Sequence, residues 1–439
     1  MRTVFYMWLI VFACLAGSAL AQEERAIDNF AGVGVRAMGM GGAFVGVADD
    51  FTAIYWNPAG LAQIDHREVH VSFLRNSHTN DSELAGTSAS SELSNTRFGS
   101  LGVVFPYPVY RGSLVFAAGF NRIKDFDWSL RERGFSEDLQ SDHSFRHEGE
   151  LALTSLAAAV DVSPSVSLGM TVGFVSGDDK ATNEFSWTDS QDLFEEKRFL
   201  ARDSFEDEYE SAFYAALGGM VRSSGEKPKF RLGATIATGT THEIAYVFRG
   251  ASSEVGYDLV EYDDGSLEEY PGEVIRDAYK ISLPLELAVG ASYAPLDGLL
   301  LAGSLHFAEW EQSEYDGRDD SQLRAYTSFE KQYRNSTRYH LGVEWEVPTV
   351  ALDLRAGFYS DPLPFVGPRD PDRLPDPVSN PEIDIEQDRR FITLGVGLRV
   401  DEVVQVDMAW VRGSFEQVEG ALREENSINR LFASVGYIF

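Results

Sequence analysis

Cysteine is almost missing: Cys14 is the only one in 439 residues, and it falls in a stretch expected to be removed. Disulfides, thiolate catalysis and cysteine-ligated metal centres are thereby excluded from the mature chain. Long apolar runs are missing as well. Beyond the first residues no run of eighteen apolar residues occurs, so helices that span a membrane are excluded, whereas strands, which need only about 9–11 residues with one apolar face, are not. Basic residues are scarce beside acidic ones, 37 against 69, for a formal net charge of -32. So acidic a surface repels phosphates, and no nucleic-acid partner is expected.

What is present begins with an export signal. Met1 and Arg2 precede an apolar run over residues 4–16, and Ala19-Leu20-Ala21 fits a small-residue cleavage site. Residues 1–21 are expected to be removed, leaving Gln22 first. An inner-membrane anchor fits less well, because the run is short and no stop-transfer pattern follows.

From residue 68 the chain settles into stretches of alternating polarity, at 68–76, 97–105, 112–121, 149–162, 165–176, 209–222, 229–239, 279–293, 299–311, 338–347, 350–360, 390–400, 403–413 and 429–439. Their connections alternate without a break. Short ones fall at 106–111, 163–164, 223–227, 295–298, 348–349 and 401–402, and long polar ones at 77–96, 122–148, 177–208, 240–278, 312–337, 361–389 and 414–428. A membrane barrel entered from one side has this pattern, with tight periplasmic turns and long external loops. A soluble sandwich supplies no reason for every second loop to be long. The expected fold is therefore all-β: a 14-stranded antiparallel transmembrane barrel over 68–439, embedded in the lipid of a bacterial outer membrane, with both ends periplasmic.

The faces agree. Leu431, Ala433, Val435, Tyr437 and Phe439 share one face of the last strand, and Val404, Val406, Met408 and Trp410 one face of the strand before it. Charges collect on the opposite faces, where Glu344, Glu346, Asp353, Arg355 and Asp407 are expected to form a polar network in the lumen. Tyr107, Trp128, Trp310, Tyr359 and Trp410 are candidates for an interfacial girdle. Pro284 cannot donate to a ladder and predicts a bulge or break in its strand.

Residues 22–67 do not look like wall. Residues 32–50 are rich in glycine and other small residues and lead to Tyr55-Trp56-Asn57-Pro58-Ala59-Gly60-Leu61. Such residues permit tight turns and close backbone approach, as a piece lodged in a narrow lumen needs. A phosphate-cradling loop is the rival explanation, but no Lys-Ser/Thr follows at the required spacing and no βαβ context exists.

Gly39 to Gly42, Ala48-Asp49-Asp50 and the stretch from Tyr55 to Leu61 resemble the outer-membrane transport family of FadL and TodX, channels for long-chain fatty acids and hydrocarbons. PorV-like barrels of secretion and surface-attachment systems are similar in this stretch. The resemblance implies an N-terminal hatch containing Asn57, Pro58, Ala59 and Gly60, and external loops that capture an apolar ligand. It further implies passive release past the hatch, either to the periplasm or sideways through a defect in the wall. Phe439 looks like the terminal aromatic recognised by the barrel assembly machinery. Candidate capture residues are Phe126, Trp128, Phe135, Phe185, Trp187, Phe194 and Phe199, with Leu130 and Leu200 beside them.

The function implied is uptake of hydrophobic small molecules by a monomeric channel without cofactor. The alternatives are a PorV-like structural or secretion partner, and a general porin, which a plug argues against. No enzyme is expected, since no nucleophile and base stand out. His66 and His70 are better read as rim residues than as a metal pair. Acidic residues around Glu254, Asp258, Glu261, Asp263, Asp264, Glu268 and Glu269 lack a calcium-loop pattern.

Overall fold

The computed structural model describes residues 24–439 except 28, 137–138, 226–227, 253–254, 317–327, 369, 378 and 402. The expected signal stretch, Gln22, Glu254 and parts of the turns at 223–227 and 401–402 lie outside the described residues. No described helix is long and apolar enough to cross a membrane.

One sheet closes on itself through fourteen strands: β1 (Glu68–Leu84), β2 (Thr87–Tyr107), β3 (Leu114–Asp125), β4 (Leu139–Ser163), β5 (Val166–Thr188), β6 (Glu196–Arg222), β7 (Phe230–Ala237), β8 (Glu286–Leu296), β9 (Leu299–Ala308), β10 (Ser336–Glu346), β11 (Leu352–Ser360), β12 (Ile383–Val400), β13 (Val404–Glu419) and β14 (Leu422–Ile438). Each pairs antiparallel with its neighbour in sequence. β1 closes the ring against β14, from Glu68 opposite Ile438 to Leu84 opposite Leu422. Lipid tolerates no unpaired strand edge, and closure removes it.

Short connections gather at one end, at 108–113, 164–165, 223–229, 297–298, 347–351 and 401–403. The other end differs from the expected long loops, because much of it is strand. β4, β5 and β6 run 25, 23 and 27 residues, far beyond the roughly 9–11 that cross a membrane. β1 and β2 meet in a hairpin at Ala85-Gly86, whose φ angles of 50° and 85° suit a primed two-residue turn. Six more segments (Trp128–Ser136, Thr241–Gly250, Leu259–Tyr262, Leu267–Glu269, Glu273–Ser282 and Glu314–Asp316) prolong the sheet outward. Outside the bilayer these strands face water, so ion pairs such as Glu184–Arg202 at 3.0 Å and Glu206–Arg249 at 3.2 Å replace apolar side chains on the outer face. That polarity gives them a loop-like sequence.

Around the wall, outward residues such as Leu101, Leu156, Leu168, Leu217, Leu341 and Leu431 are exposed, as a lipid-facing band requires. Of the five girdle candidates, Tyr107 is exposed and Trp410 half-exposed on the outer face, but Trp310 and Tyr359 are buried inside. Aromatic character alone does not reveal which face a strand presents.

Candidate functional site

The described residues of 24–66 lie within the ring. Short helices at Val35–Gly39 and Ala53–Trp56 and a 3-10 turn at Pro58–Gln63 leave many backbone groups without helical partners. The wall supplies them. Thr171 donates to Ile54 O at 2.8 Å, Ser292 to Gly46 O at 2.9 Å, His340 Nδ1 to Gly41 O at 2.7 Å, Thr393 to Gly39 O at 3.0 Å and Arg430 to Phe30 O at 2.7 Å.

The wall also makes room. Glycines face the insert in four cross-strand pairs, Gly102–Gly119, Gly169–Gly218, Gly233–Gly290 and Gly342–Gly357. Phe51 lies on the first pair, Asn57 to Ala59 on the second, Val45 and Gly46 on the third, Met40 and Gly41 on the fourth, each so close that a Cβ would collide. Six of the inward glycines follow an outward leucine, at Leu101-Gly102, Leu168-Gly169, Leu217-Gly218, Leu232-Gly233, Leu341-Gly342 and Leu394-Gly395. That recurring dipeptide was the available signal, and the sequence reading missed it.

Asn57 is fully buried. Its Nδ2 donates to Val45 O at 2.9 Å and to Gly219 O of β6 at 3.3 Å, while its Oδ1 accepts from Ala59 N at 3.1 Å. Pro58, Ala59 and Gly60 continue into the 3-10 turn, with Gly60 packed against Ala48. The four residues thus bind two parts of the insert to each other and to the wall.

Charge fastens the opposite side. Arg36 donates two hydrogen bonds to Glu344, at 2.8 and 2.7 Å, and one to Asp49 at 2.6 Å. Arg355 joins Glu344 at 2.6 Å, Asp407 at 2.5 Å and Asp353 at 3.3 Å. Burial opposes the Arg36 charge, but Asp49 and Glu344 outweigh it and hold the guanidinium above its ordinary range. Burial raises the Asp50 carboxyl despite the opposing pull of Arg36. Glu346 does not enter this buried group. It is exposed where β10 leaves the wall, 3.9 Å from Arg399.

Outward of the insert, the inner face of β5 passes three apolar clusters in succession. Val175 belongs to one with Ile27, Phe126, Tyr209 and Tyr279. Ala181 belongs to one with Leu130 and Phe145, against which Trp128 packs. Phe185 and Trp187 belong to the outermost, with Phe199 and Tyr257, and Phe194 half-buried beside them. Phe135 stands apart, exposed, and Leu200 is buried beside Phe199. Beside the innermost cluster a cavity of about 90 Å³ is lined by Phe30, Tyr55, Trp56, Leu151, Leu287, Lys124 and Arg338. Burial pushes the Tyr55 hydroxyl above its usual range.

The wall is interrupted twice near this cavity. Pairing of β2 with β3 stops at Ser100–Asn121, while β1 and β2 remain paired up to their hairpin. Past Asp125 the chain turns inward as Trp128–Ser136, where Ser129 bonds Ser91 at 3.1 Å, and Arg122 Nε donates to Phe98 O at 3.2 Å on the strand left behind. The second interruption includes Pro284: β7 stops at Ala237 and β8 starts at Glu286, while pairing resumes beyond between Thr241 and Ser282. Leu283 N donates to Thr240 O across it at 2.8 Å.

His66 is exposed beside Asp65, whereas His70 is buried and stacked on Phe51 with ring centroids 5.5 Å apart. Among the described residues, no group of three or more His, Cys, Asp or Glu is placed to hold a metal ion.

A family model described as outer membrane protein transport protein (OMPP1/FadL/TodX) matches residues 13–434. No curated protein matches the sequence. Among solved structures, the toluene transporter TodX of P. putida is similar with a TM-score of 0.61 at 15% identity, over 94% of this chain and 99% of that one. A FadL homologue of Pseudomonas aeruginosa gives 0.59 at 15% identity, over 93% and 99%. The toluene transporter TbuX of Ralstonia pickettii gives 0.58 at 14% identity, over 94% and 99%.

Proposed function

The chain belongs to the outer-membrane protein transport family of OMPP1, FadL and TodX, and on that premise we propose that it captures hydrophobic small molecules at its outer mouth and releases them past an N-terminal hatch. It resides in the outer membrane and is a transport channel, not an enzyme. Transport is passive and concerns hydrophobic molecules. Long-chain fatty acids are one cargo class under this proposal. Monoaromatic hydrocarbons are another, given that two of the similar structures are toluene transporters by name.

The carrying observation is the run of apolar clusters down β5 to the cavity above Tyr55 and Trp56. An apolar solute moving along it exchanges one desolvated surface for another and avoids crossing the polar surface layer of the membrane. The insert closes the floor, so release requires it to shift against the glycine pairs.

The test is uptake of labelled oleate and labelled toluene by cells carrying the chain, with and without a disulfide from Ile54→Cys and Thr171→Cys, positions whose carbonyl and hydroxyl meet at 2.8 Å. Oxidation should abolish uptake, and reduction should restore it. Undiminished uptake after oxidation counts against the hatch. Uptake no greater than in cells lacking the chain counts against transport and favours a structural or secretion partner.

A further inference from the structure

We propose that the outer face of the barrel holds one acyl chain of a bilayer lipid in a groove crossing β2 to β6, as a fixed companion of the wall and not as cargo. The inference stands on the membrane address of the barrel and is independent of the uptake reading.

The groove measures about 570 Å³ and its surface is almost wholly carbon. That is several times the roughly 150 Å³ that admits benzene, and gives room for a long tail. The register of the strands explains it. One outward row runs Phe120, Thr154, Phe174 and Phe213, each opposite the next. Thr154 is the one short side chain among these phenylalanines, so a slot opens over it between Phe120 and Phe174. The row two residues nearer the short turns places Ala118 between Val103 and Leu156, and there the slot continues. Between the two rows lie Gly102, Gly119, Ser155 and Gly173, which turn inward and leave backbone as the floor.

The occupant follows from where the groove lies. Its rims, Leu101, Leu156, Phe174 and Phe213, are exposed in the lipid-facing band, where the medium is hydrocarbon and not water. Among the described residues no route joins it to the lumen. The β2–β3 ladder is unbroken from Ser100–Asn121 to Tyr107–Leu114, the β3–β4 ladder from Arg122–Ala152 to Leu114–Val160, and the β4–β5 ladder from Ala152–Ser176 to Asp161–Ser167. Behind the floor, Phe51 of the insert closes on Gly102 and Gly119. A molecule moving down the lumen does not reach this groove, whereas lipid tails surround it. An unfilled groove forfeits dispersion contacts. A tail lying between the phenylalanines regains them on the floor and both sides, more than a tail on the flat belt makes, and is held there.

The experiment reconstitutes the full chain in vesicles of dioleoyl phosphatidylethanolamine and dioleoyl phosphatidylglycerol in equal parts, extracts it in mild detergent and counts retained lipid by native mass spectrometry. One phospholipid should stay with the chain. Ala118→Phe with Thr154→Phe, which fills the slot, should cut that retention about tenfold or more. Val289→Phe with Val396→Phe, at exposed positions elsewhere on the belt, should leave it unchanged. A chain extracted bare, or equal retention by the two double variants, overturns the proposal. So does loss of the retained lipid on adding toluene, which makes the groove a station for cargo. Should the filled variant fail to assemble, a phosphatidylethanolamine with a diazirine in its tail decides on the unaltered chain: its crosslinks must concentrate on residues 116–120 and 154–156, and an even spread round the belt refutes the site.

Discussion

Arg36, itself partly buried, reaches from the insert into a group of wall carboxylates and makes two hydrogen bonds to the buried Glu344. Removing one partner of a buried ion pair leaves a charge uncompensated, at a cost of about 3–5 kcal/mol. Because Arg355 still neutralises part of Glu344, Arg36→Ala should fall near the low end. Hydrogen exchange of amides over 33–64 should then quicken by about a hundredfold, and unchanged exchange would deny Arg36 a part in fastening the insert. Phe51 is a contrasting residue, fully buried on Gly102 and Gly119. Phe51→Ala leaves a void worth about 3–5 kcal/mol, which should loosen the same amides without altering any charge.

Among the structural elements, the insert and wall fit because glycines meet it where strands cross its path. Gly342→Val drives a side chain into the Met40 carbonyl, whereas Gly219→Val meets only Leu168 at 3.8 Å. Overpacking costs about 1–3 kcal/mol, so the first variant should raise the accessibility of the insert to limited proteolysis and the second should not. Equal behaviour of the two would remove the glycine pairs from the argument. The interruption around Pro284 was legible as a defect from the missing donor alone. The parting of β2 from β3 was not, since Asp125, Phe126 and Asp127 contain neither proline nor glycine, and the inward turn is set by contacts with β1 and β2.

For the molecule as a whole, β1 closes on β14 without help from the insert. Deleting residues 24–66 should leave a heat-modifiable barrel that conducts ions steadily in planar bilayers, where the intact chain conducts little. Equal conductance would mean that the insert does not seal the lumen. How much of this was readable follows from the range of the forces involved. Membrane address, strand number and outward face were legible because a two-residue period and the demand for closed edges act locally on every strand, as in the alternation from Leu431 to Phe439. The external strands carry a loop-like sequence, because strands beyond the bilayer lose the apolar face that identifies them. Which inward residues meet was decided only by the closed ring: Arg36 and Glu344 lie 308 positions apart, and Glu24 and Tyr333 309. No local pattern encodes such pairings, because it is the circumference and stagger of the barrel that bring those side chains to one point.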